Sequence, residues 1–370
     1  MPTSRLGSFK EIRVSDEIFS KTMKALTFVA PGKIALVDKA IPRPEFGEAL
    51  IKITTTTICG TDVHILKGEY PVKSGLTLGH EPVGTIAALG ACVTGYRVGK
   101  RVIAGAITPC GHCESCLDNH RSQCGGHAMG GWKFGNTIDG AQAEYLIVPD
   151  AMANLALVPD HLTDEQVLMC PDIMSTGFSG AESGNIQIGD VVAIFAQGPI
   201  GLCAAAGAKL KGASQIIAVD SSESRLLMSR QVGADVAVNF KNGNPVEEIM
   251  RLTDNRGVDV AIEALGTQAT FENCLRILKP GGTLSSLGVY SKGLTIPLNA
   301  FDAGLGDHKI VTTLCPGGKE RMRRLMNIVN SGRVDLKPMV THRFKLSHII
   351  DAYELFANQK DGVLKVAITP

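Results

Sequence analysis

Residues 190–220 read DVVAIFAQGPIGLCAAAGAKLKGASQIIAVD. The run from Asp190 to Phe195 is apolar, too short for a helix, and ends in a glycine-bearing turn. An Ala-rich helical segment follows, then a second buried run, QIIAVD. Strand, turn, helix and strand make a βαβ unit and imply a parallel sheet. Inside the turn, Ala196-Gln-Gly-Pro-Ile-Gly201 has the spacing G-x-G-x-x-G with alanine in the first position. Gly198 lets the backbone approach a pyrophosphate, and Gly201 lets the helix pack on the sheet. Pro199 and Ile200 open the helix, whose unpaired N–H groups face the phosphates. Asp220 ends the second strand, 19 residues after Gly201. An acid there suits the ribose hydroxyls of NAD and repels the 2′-phosphate of NADP.

The same rhythm continues downstream. SSESRLLMSRQVGA reads as a helix with a Ser cap and ADVAVNF as a strand; VDVAIEALG, a helix through ENCLRILKPGG and a strand TLSSLGVY follow. This nucleotide-binding domain is expected over 176–316. KERMRRLMNIVNSG and FKLSHIIDAYELFANQ then form two amphipathic helices, and 317–370 is expected to pack back on the first domain. Upstream, over 23–175, ALIKITTTTI, PVGTIAALG, KRVIAG and AEYLIVP are short β-rich runs bounded by Gly and Pro, with weak helix signals.

The bulk numbers fit two domains: 370 residues, 44% hydrophobic and 20% charged, with a net charge of +1. No basic stripe alternates with aromatics, which argues against nucleic acid. No apolar run reaches the roughly 18 residues of a membrane span. Residues 1–22 have no apolar leader core and contain Glu11, Asp16 and Glu17, so they read as an extension ahead of Met23 and not as a secretory or transit signal. A cytoplasmic location is expected.

Ten cysteines need a reason. Cys110, Cys113, Cys116 and Cys124 have the spacing C-x2-C-x2-C-x7-C. Four thiolates so close can close a tetrahedron around a structural zinc ion. An iron–sulfur cluster is the rival reading. His112 and His120 lie between these cysteines and are expected to face solvent. Cys59 opens CGTDVH, and Gly79-His80-Glu81 follows. A catalytic zinc takes three protein ligands and keeps one position open. The residues alone nominate Cys59 with either His64 or His80, and do not find a third ligand.

CGTDVH, GHE, the four-cysteine lobe and a GPIG turn with an acid after the second strand, in that order, resemble the zinc-dependent medium-chain alcohol dehydrogenases from about Met23 to Pro370. DIMSTG, GWKFGN, ITP and LCPGG look more particularly like the tetrameric bacterial secondary-alcohol dehydrogenases. The resemblance implies an α/β chain: a GroES-like β-rich catalytic domain joined to a Rossmann doubly wound parallel sheet. It implies that Cys59, His80 and Asp172 bind the catalytic zinc, with Glu81 as an exchangeable fourth ligand and Cys170 as a core thiol. Asp62 would orient His80, Thr61 would hydrogen-bond the substrate hydroxyl, and His64 would be the outer end of a proton relay. Thr176 would join Gly198, Pro199, Ile200, Gly201 and Asp220 in binding the coenzyme. Trp132, Ile107 and Tyr290 would wall the substrate pocket.

Two departures from the secondary-alcohol branch stand out. The full cysteine lobe implies a second zinc per chain, and Asp220-Ser221-Ser222 replaces the Gly-Ser-Arg of NADP-using relatives. The implied activity is reversible oxidation of a small, secondary alcohol to a ketone or aldehyde with hydride transfer to NAD, by a homotetramer. A polyol or diol dehydrogenase, or a non-catalytic NAD-binding protein, are the alternatives.

Overall fold

The computed structural model describes residues 16–370, so positions 1–15 of the expected N-terminal extension lie outside the described residues. Ile18 and Phe19 pack on a small core containing Met23, Ala25 and Leu50. Strands β1 (Thr22–Ala30) and β2 (Lys33–Ala40) form an antiparallel pair. β3 (Ala49–Thr57) is buried along most of its length because it has partners on both edges, and it leads into helix α1 (Gly60–Leu66). The next strands are β4 (Val83–Leu89), β5 (Arg101–Ile103), β6 (Tyr145–Val148) and β7 (Ala156–Leu157). Short helices α2 (Glu114–Leu117), α3 (Ala151–Asn154) and α4 (Asp164–Val167) punctuate this region. Helix α1 was not legible in a stretch read as β-rich, because its seven residues are too few for a periodic pattern.

Helix α5 (Ile173–Ser183) leads to the second sheet. There β8 (Val191–Phe195), α6 (Pro199–Lys211), β9 (Gln215–Asp220), α7 (Glu223–Val232), β10 (Val236–Asn239) and α8 (Pro245–Leu252) alternate as the sequence implies. β11 (Val258–Glu263), α9 (Gln268–Arg276), β12 (Leu278–Ser286) and β13 (Lys309–Thr312) complete it. The order is β10-β9-β8-β11-β12-β13, and every pairing is parallel. This is the doubly wound α/β arrangement, with its topological switch between β8 and β11, where such sheets bind ligands at the strands' carboxyl ends. The close seam between α5 and α6 requires glycine: a Cβ at Gly177 would lie 2.4 Å from that of Cys203.

Two local readings need correction. The helix through ENCLRILKPGG ends at Arg276, and LKPGG opens β12 instead. Val258 pairs with Leu278 and Val260 with Thr283, so Lys279 to Gly282 loop out of register, which the Pro-Gly-Gly sequence permits. Ser222 does occupy the N-cap of α7, but its hydroxyl pairs with that of Ser224 and caps no amide.

The C-terminal segment returns to the first sheet. After α10 (Lys319–Asn330), strand β14 (Val340–Lys345) runs parallel to β15 (Lys365–Thr369), and β15 pairs antiparallel with β3 at Ala367–Thr57. Between them α11 (Ile349–Ala357) contributes Ile349 and Tyr353 to a core shared with Ile58, Ile65 and Trp132. Among the described residues no helix is long and apolar enough to cross a membrane.

Candidate active site

The cleft begins where β3 gives way to α1. Cys59 is the N-cap of that helix, and its N–H donates to Asp62 Oδ2 at 2.8 Å. The bond fixes both residues: Cys59 at the strand's end and Asp62 at the third helical position. His80 and Glu81 precede β4, and Asp172 is the N-cap of α5. These three segments bring Cys59, His80, Glu81 and Asp172 together, all buried, with one ligand atom from each within 4.8 Å of the others. Asp172 Oδ2 lies 3.3 Å from Cys59 Sγ and 3.4 Å from His80 Nε2. Cys170 is elsewhere, with its sulfur 3.7 Å from that of Met174, and burial pushes its thiol up to about 12. His64 is also outside the cluster.

The donors fit a bound dication. Burial disfavours a charged His80, yet Asp62 and then Asp172 hold its imidazole well above the ordinary histidine value. Burial would raise Asp172, but His80 draws its carboxyl below the usual range. Cys59 is raised by burial and by Asp172. Two carboxylates and a thiol thus crowd one imidazole, an arrangement that a metal cation relieves. Glu81 keeps Oε2 buried without a partner, as the donor set of a metal would require.

A buried network supports these groups. His80 Nδ1 is 3.6 Å from Asp62 Oδ1. Gln142 Nε2 donates to Asp62 Oδ2 at 3.2 Å and to the Thr57 carbonyl at 3.1 Å, while the Tyr353 hydroxyl donates to Gln142 Oε1 at 2.8 Å. Lys365 Nζ donates to Glu81 Oε1 at 2.6 Å and to the Ile58 carbonyl at 3.2 Å, with both side chains 1% exposed. Burial works against its ammonium, but Glu81, Cys59 and Asp172 together hold it above the ordinary lysine value. Gln142, Tyr353 and Lys365 escape the sequence reading. Lys365 alone left a trace there, as a single charge inside the apolar run VLKVAI.

The second cluster is local. Cys110 and Cys116 sulfurs are 4.0 Å apart, as are those of Cys113 and Cys124, and no disulfide joins them. Zinc–sulfur bonds of about 2.3 Å give sulfur–sulfur edges near 3.8 Å, so the lobe has the size of a closed zinc site. The N–H of Gly125 donates to Cys113 Sγ at 3.2 Å, and this, then the Cys116 amide, lowers that thiol to about 6. His112 and His120 are exposed, as expected.

An open cavity of about 300 Å³ joins the two halves, with Cys59, Thr61 and His64 on one wall and Gly198, Pro199 and Ile200 on the other. Nothing stands within 4 Å of where a Gly198 Cβ would be, which leaves room for a phosphate at the head of α6. A Cβ at Gly201 would fall 1.9 Å from the Ala196 carbonyl oxygen, so the third glycine is obligatory. Ala196 itself takes φ 72°, the left-handed region that glycine would hold without strain. A second cavity of about 370 Å³ is lined by Asp220, Arg225 and Phe195. Asp220 accepts from the N–H groups of Gln197 at 2.6 Å, Ser221 at 2.7 Å and Ser222 at 2.9 Å, so it shapes the loop as well as facing the cavity.

The remaining nominated residues are scattered. The Thr176 hydroxyl donates to Asp172 Oδ1 at 3.0 Å, and so orients a metal-cluster carboxylate. Trp132 is buried, with its ring 6.3 Å edge-on from His80 and 5.7 Å from Tyr70, and Ile107 is buried beside it. Neither lines the open cleft, whereas Tyr70, which sequence reasoning missed, does. The Tyr290 hydroxyl is 2.8 Å from Ser286 Oγ and donates to Glu263 Oε2 at 2.9 Å. His64 Nδ1 contacts Glu69 at the mouth of the cleft.

Comparison with known proteins agrees with this architecture. Residues 45–160 match the alcohol dehydrogenase GroES-like domain family, and residues 199–331 match the zinc-binding dehydrogenase family. An alcohol dehydrogenase of Cupriavidus necator is 66% identical over 361 residues, covering 94% of this chain and 99% of that protein. The NADP-dependent isopropanol dehydrogenase of Thermoanaerobacter brockii is 36% identical over 94% of this chain and 99% of its own length. Among solved structures, the zinc dependent alcohol dehydrogenase 2 from Streptococcus pneumonia superposes with a TM-score of 0.87 at 37% identity, covering 94% of this chain and 98% of that one. With two metal-ligand clusters, a GroES-like sheet and a nucleotide-binding sheet facing one cleft, the chain belongs to the zinc-dependent medium-chain alcohol dehydrogenases, enzymes that oxidise alcohols with a nicotinamide coenzyme.

Proposed function

We propose that this enzyme oxidises small secondary alcohols to ketones, reversibly, and that its coenzyme is NAD. The observation that carries the reading is the shared cleft, in which Cys59 and Thr61 face the Gly198–Gly201 turn across about 300 Å³. Cys59, His80 and Asp172 are the residues to hold the catalytic zinc, with Glu81 tethered by Lys365 as an exchangeable fourth donor. A zinc ion held there would supply Lewis acidity that favours loss of the alcohol proton, and a nicotinamide coenzyme held at the Gly198–Gly201 turn would supply the hydride acceptor. Thr61 would accept that proton at Oγ1 while giving up its own hydroxyl proton to the relay, and His64, partly open to solvent, would be the relay's outer end. Gln142 fixes Asp62, whose carboxylate lies 3.6 Å from His80 Nδ1, and Ile173 and Leu287 add apolar wall to the cleft.

Substrate shape is supported by the apolar walls and by the isopropanol dehydrogenases among the relatives. The coenzyme is supported by Asp220, whose carboxylate borders the second cavity where a 2′-phosphate would bring a like charge. The named NADP-dependent relatives make that a point on which this chain is expected to differ. A homotetramer, proposed from the resemblance, is tested by sedimentation. The main experiment measures zinc content and NADH formation side by side with 2-propanol, 2-butanol, ethanol and sorbitol. One misfitting methylene is worth about 1–3 kcal/mol, so secondary alcohols should lead ethanol by roughly tenfold or more in kcat/KM. A lead for ethanol or sorbitol removes the secondary-alcohol reading.

A further inference from the structure

Helix α1 ends in a turn that does more than stop it. The N–H of Gly68 donates to the Ile65 carbonyl and that of Glu69 to the His64 carbonyl, each at 2.9 Å. Gly68 has φ 79°, a conformation suited to glycine. The reversal brings the Glu69 side chain back over the histidine five residues earlier, and its Oε2 contacts His64 Nδ1. The Tyr70 ring meets the imidazole edge-on at 5.8 Å. The pair is 43% and 38% exposed and borders a cavity of about 230 Å³, closed on its far side by Val289, Tyr290 and Ser291. Histidine and acid therefore stand where the cleft opens to water.

We propose that Glu69 is a positioning residue for the proton path: its carboxylate accepts the His64 Nδ1–H and so leaves Nε2 as the ring's acceptor. The inference rests on the relay role given to His64 above. A neutral imidazole carries one N–H, and which nitrogen holds it is set by the bond the other partner makes. Without an acceptor at Nδ1, the proton can sit on Nε2, and the ring then has nothing to receive the alcohol's proton on that side. With Glu69 in place, a proton arriving at Nε2 makes an imidazolium whose charge the carboxylate balances. The Nε2 proton is then released to water where the cleft opens, and the ring returns to its starting form with Nδ1–H still held by Glu69. The hydrogen bond from His64 lowers the Glu69 carboxyl, which keeps it an anion at neutral pH. The other charged or titratable groups facing the pair are Lys67 and Tyr70 from the same segment, Tyr290 across the mouth, and Arg225 across the cleft.

Two variants separate orientation from charge. In Glu69→Gln the amide oxygen still accepts Nδ1–H but carries no charge, so the plateau of kcat/KM for alcohol oxidation should stay close to wild type. In Glu69→Ala the acceptor is gone, so the plateau should fall by roughly two- to tenfold. ¹⁵N NMR of the His64 ring should show Nδ1–H in the wild type and in Glu69→Gln, and a shift toward Nε2–H in Glu69→Ala. Wild-type tautomer and plateau in Glu69→Ala, or a plateau in Glu69→Gln as low as in Glu69→Ala, overturn the assignment. His64→Ala measured alongside distinguishes the failures. A slowed His64→Ala with silent Glu69 variants removes only the role of Glu69, whereas a silent His64→Ala removes the relay and this proposal with it.

Discussion

Replacing Lys365 with Met should reveal how strongly the C-terminal strand is tied to the catalytic centre. The ammonium and the Glu81 carboxylate are both 1% exposed and 2.6 Å apart, so neither can turn to water when the other is removed. Taking away one member of a buried pair typically costs about 3–5 kcal/mol, because the survivor keeps the desolvation penalty and loses the attraction. Methionine roughly preserves the stem's packing, so the loss is assigned to charge and to the bond with the Ile58 carbonyl. The pH dependence is a second signature. Burial raises the Glu81 carboxyl from near 4.5 to about 7, opposed by Lys365. In that window the folded protein binds more protons than the unfolded one, so this group's contribution falls as pH rises. Without Lys365 the folded value rises further and the decline extends to higher pH. The penalty of Lys365→Met should then be small at pH 5, where Glu81 is protonated in both proteins, and full at pH 8. Urea unfolding of chelated protein at the two pH values measures it, and adding Glu81→Gln should recover about 2 kcal/mol or more. A penalty under about 1 kcal/mol at pH 8, or equal penalties at both, would refute the reasoning.

Four further outcomes are expected. Cys113→Ser should leave one zinc per chain by elemental analysis and lower the melting temperature, since a structural site that loses a thiolate loses folding energy. Gly201→Ala should raise the KM for coenzyme and destabilise the fold by about 1–3 kcal/mol, because its Cβ would stand 1.9 Å from a carbonyl oxygen that cannot retreat freely. In the unmodified enzyme the ratio of kcat/KM for NAD over NADP should exceed one by a wide margin. Asp220→Gly with Ser222→Arg should reverse the trend while lowering thermal stability, because three loop amides lose their acceptor.

The nucleotide-binding half was legible because its strands are continuous apolar runs and its turn has fixed glycine positions. The errors there were local: Ile277 to Gly282 continue the apolar and glycine pattern past the true end of α9, and no period separates helix from strand over so few residues. The four-cysteine lobe was readable because its ligands lie within fifteen residues. The catalytic set was not readable from the residues alone. Cys59 and Asp172 are 113 positions apart, and only the fold shows that His80 joins them and that His64 stands outside. Gln142 and Tyr353 were invisible for the same reason, since a glutamine in GAQAEY carries no sign of a tyrosine 211 positions away.

The strand β15 gives the chain an order of assembly in time. The lobe can close as soon as Cys124 is made, because its four thiolates lie on one short loop. The catalytic centre must wait until Lys365 is made, since it reaches Ile58 and Glu81 across 307 and 284 positions. Contacts so distant in sequence form late and slowly. The growing chain is thus expected to take up its structural zinc first and to enclose the reactive one only after Lys365 has been made. A chain ending at Leu364 should, on this view, retain the lobe's metal while holding the second weakly, and zinc analysis after mild chelation would reveal the difference.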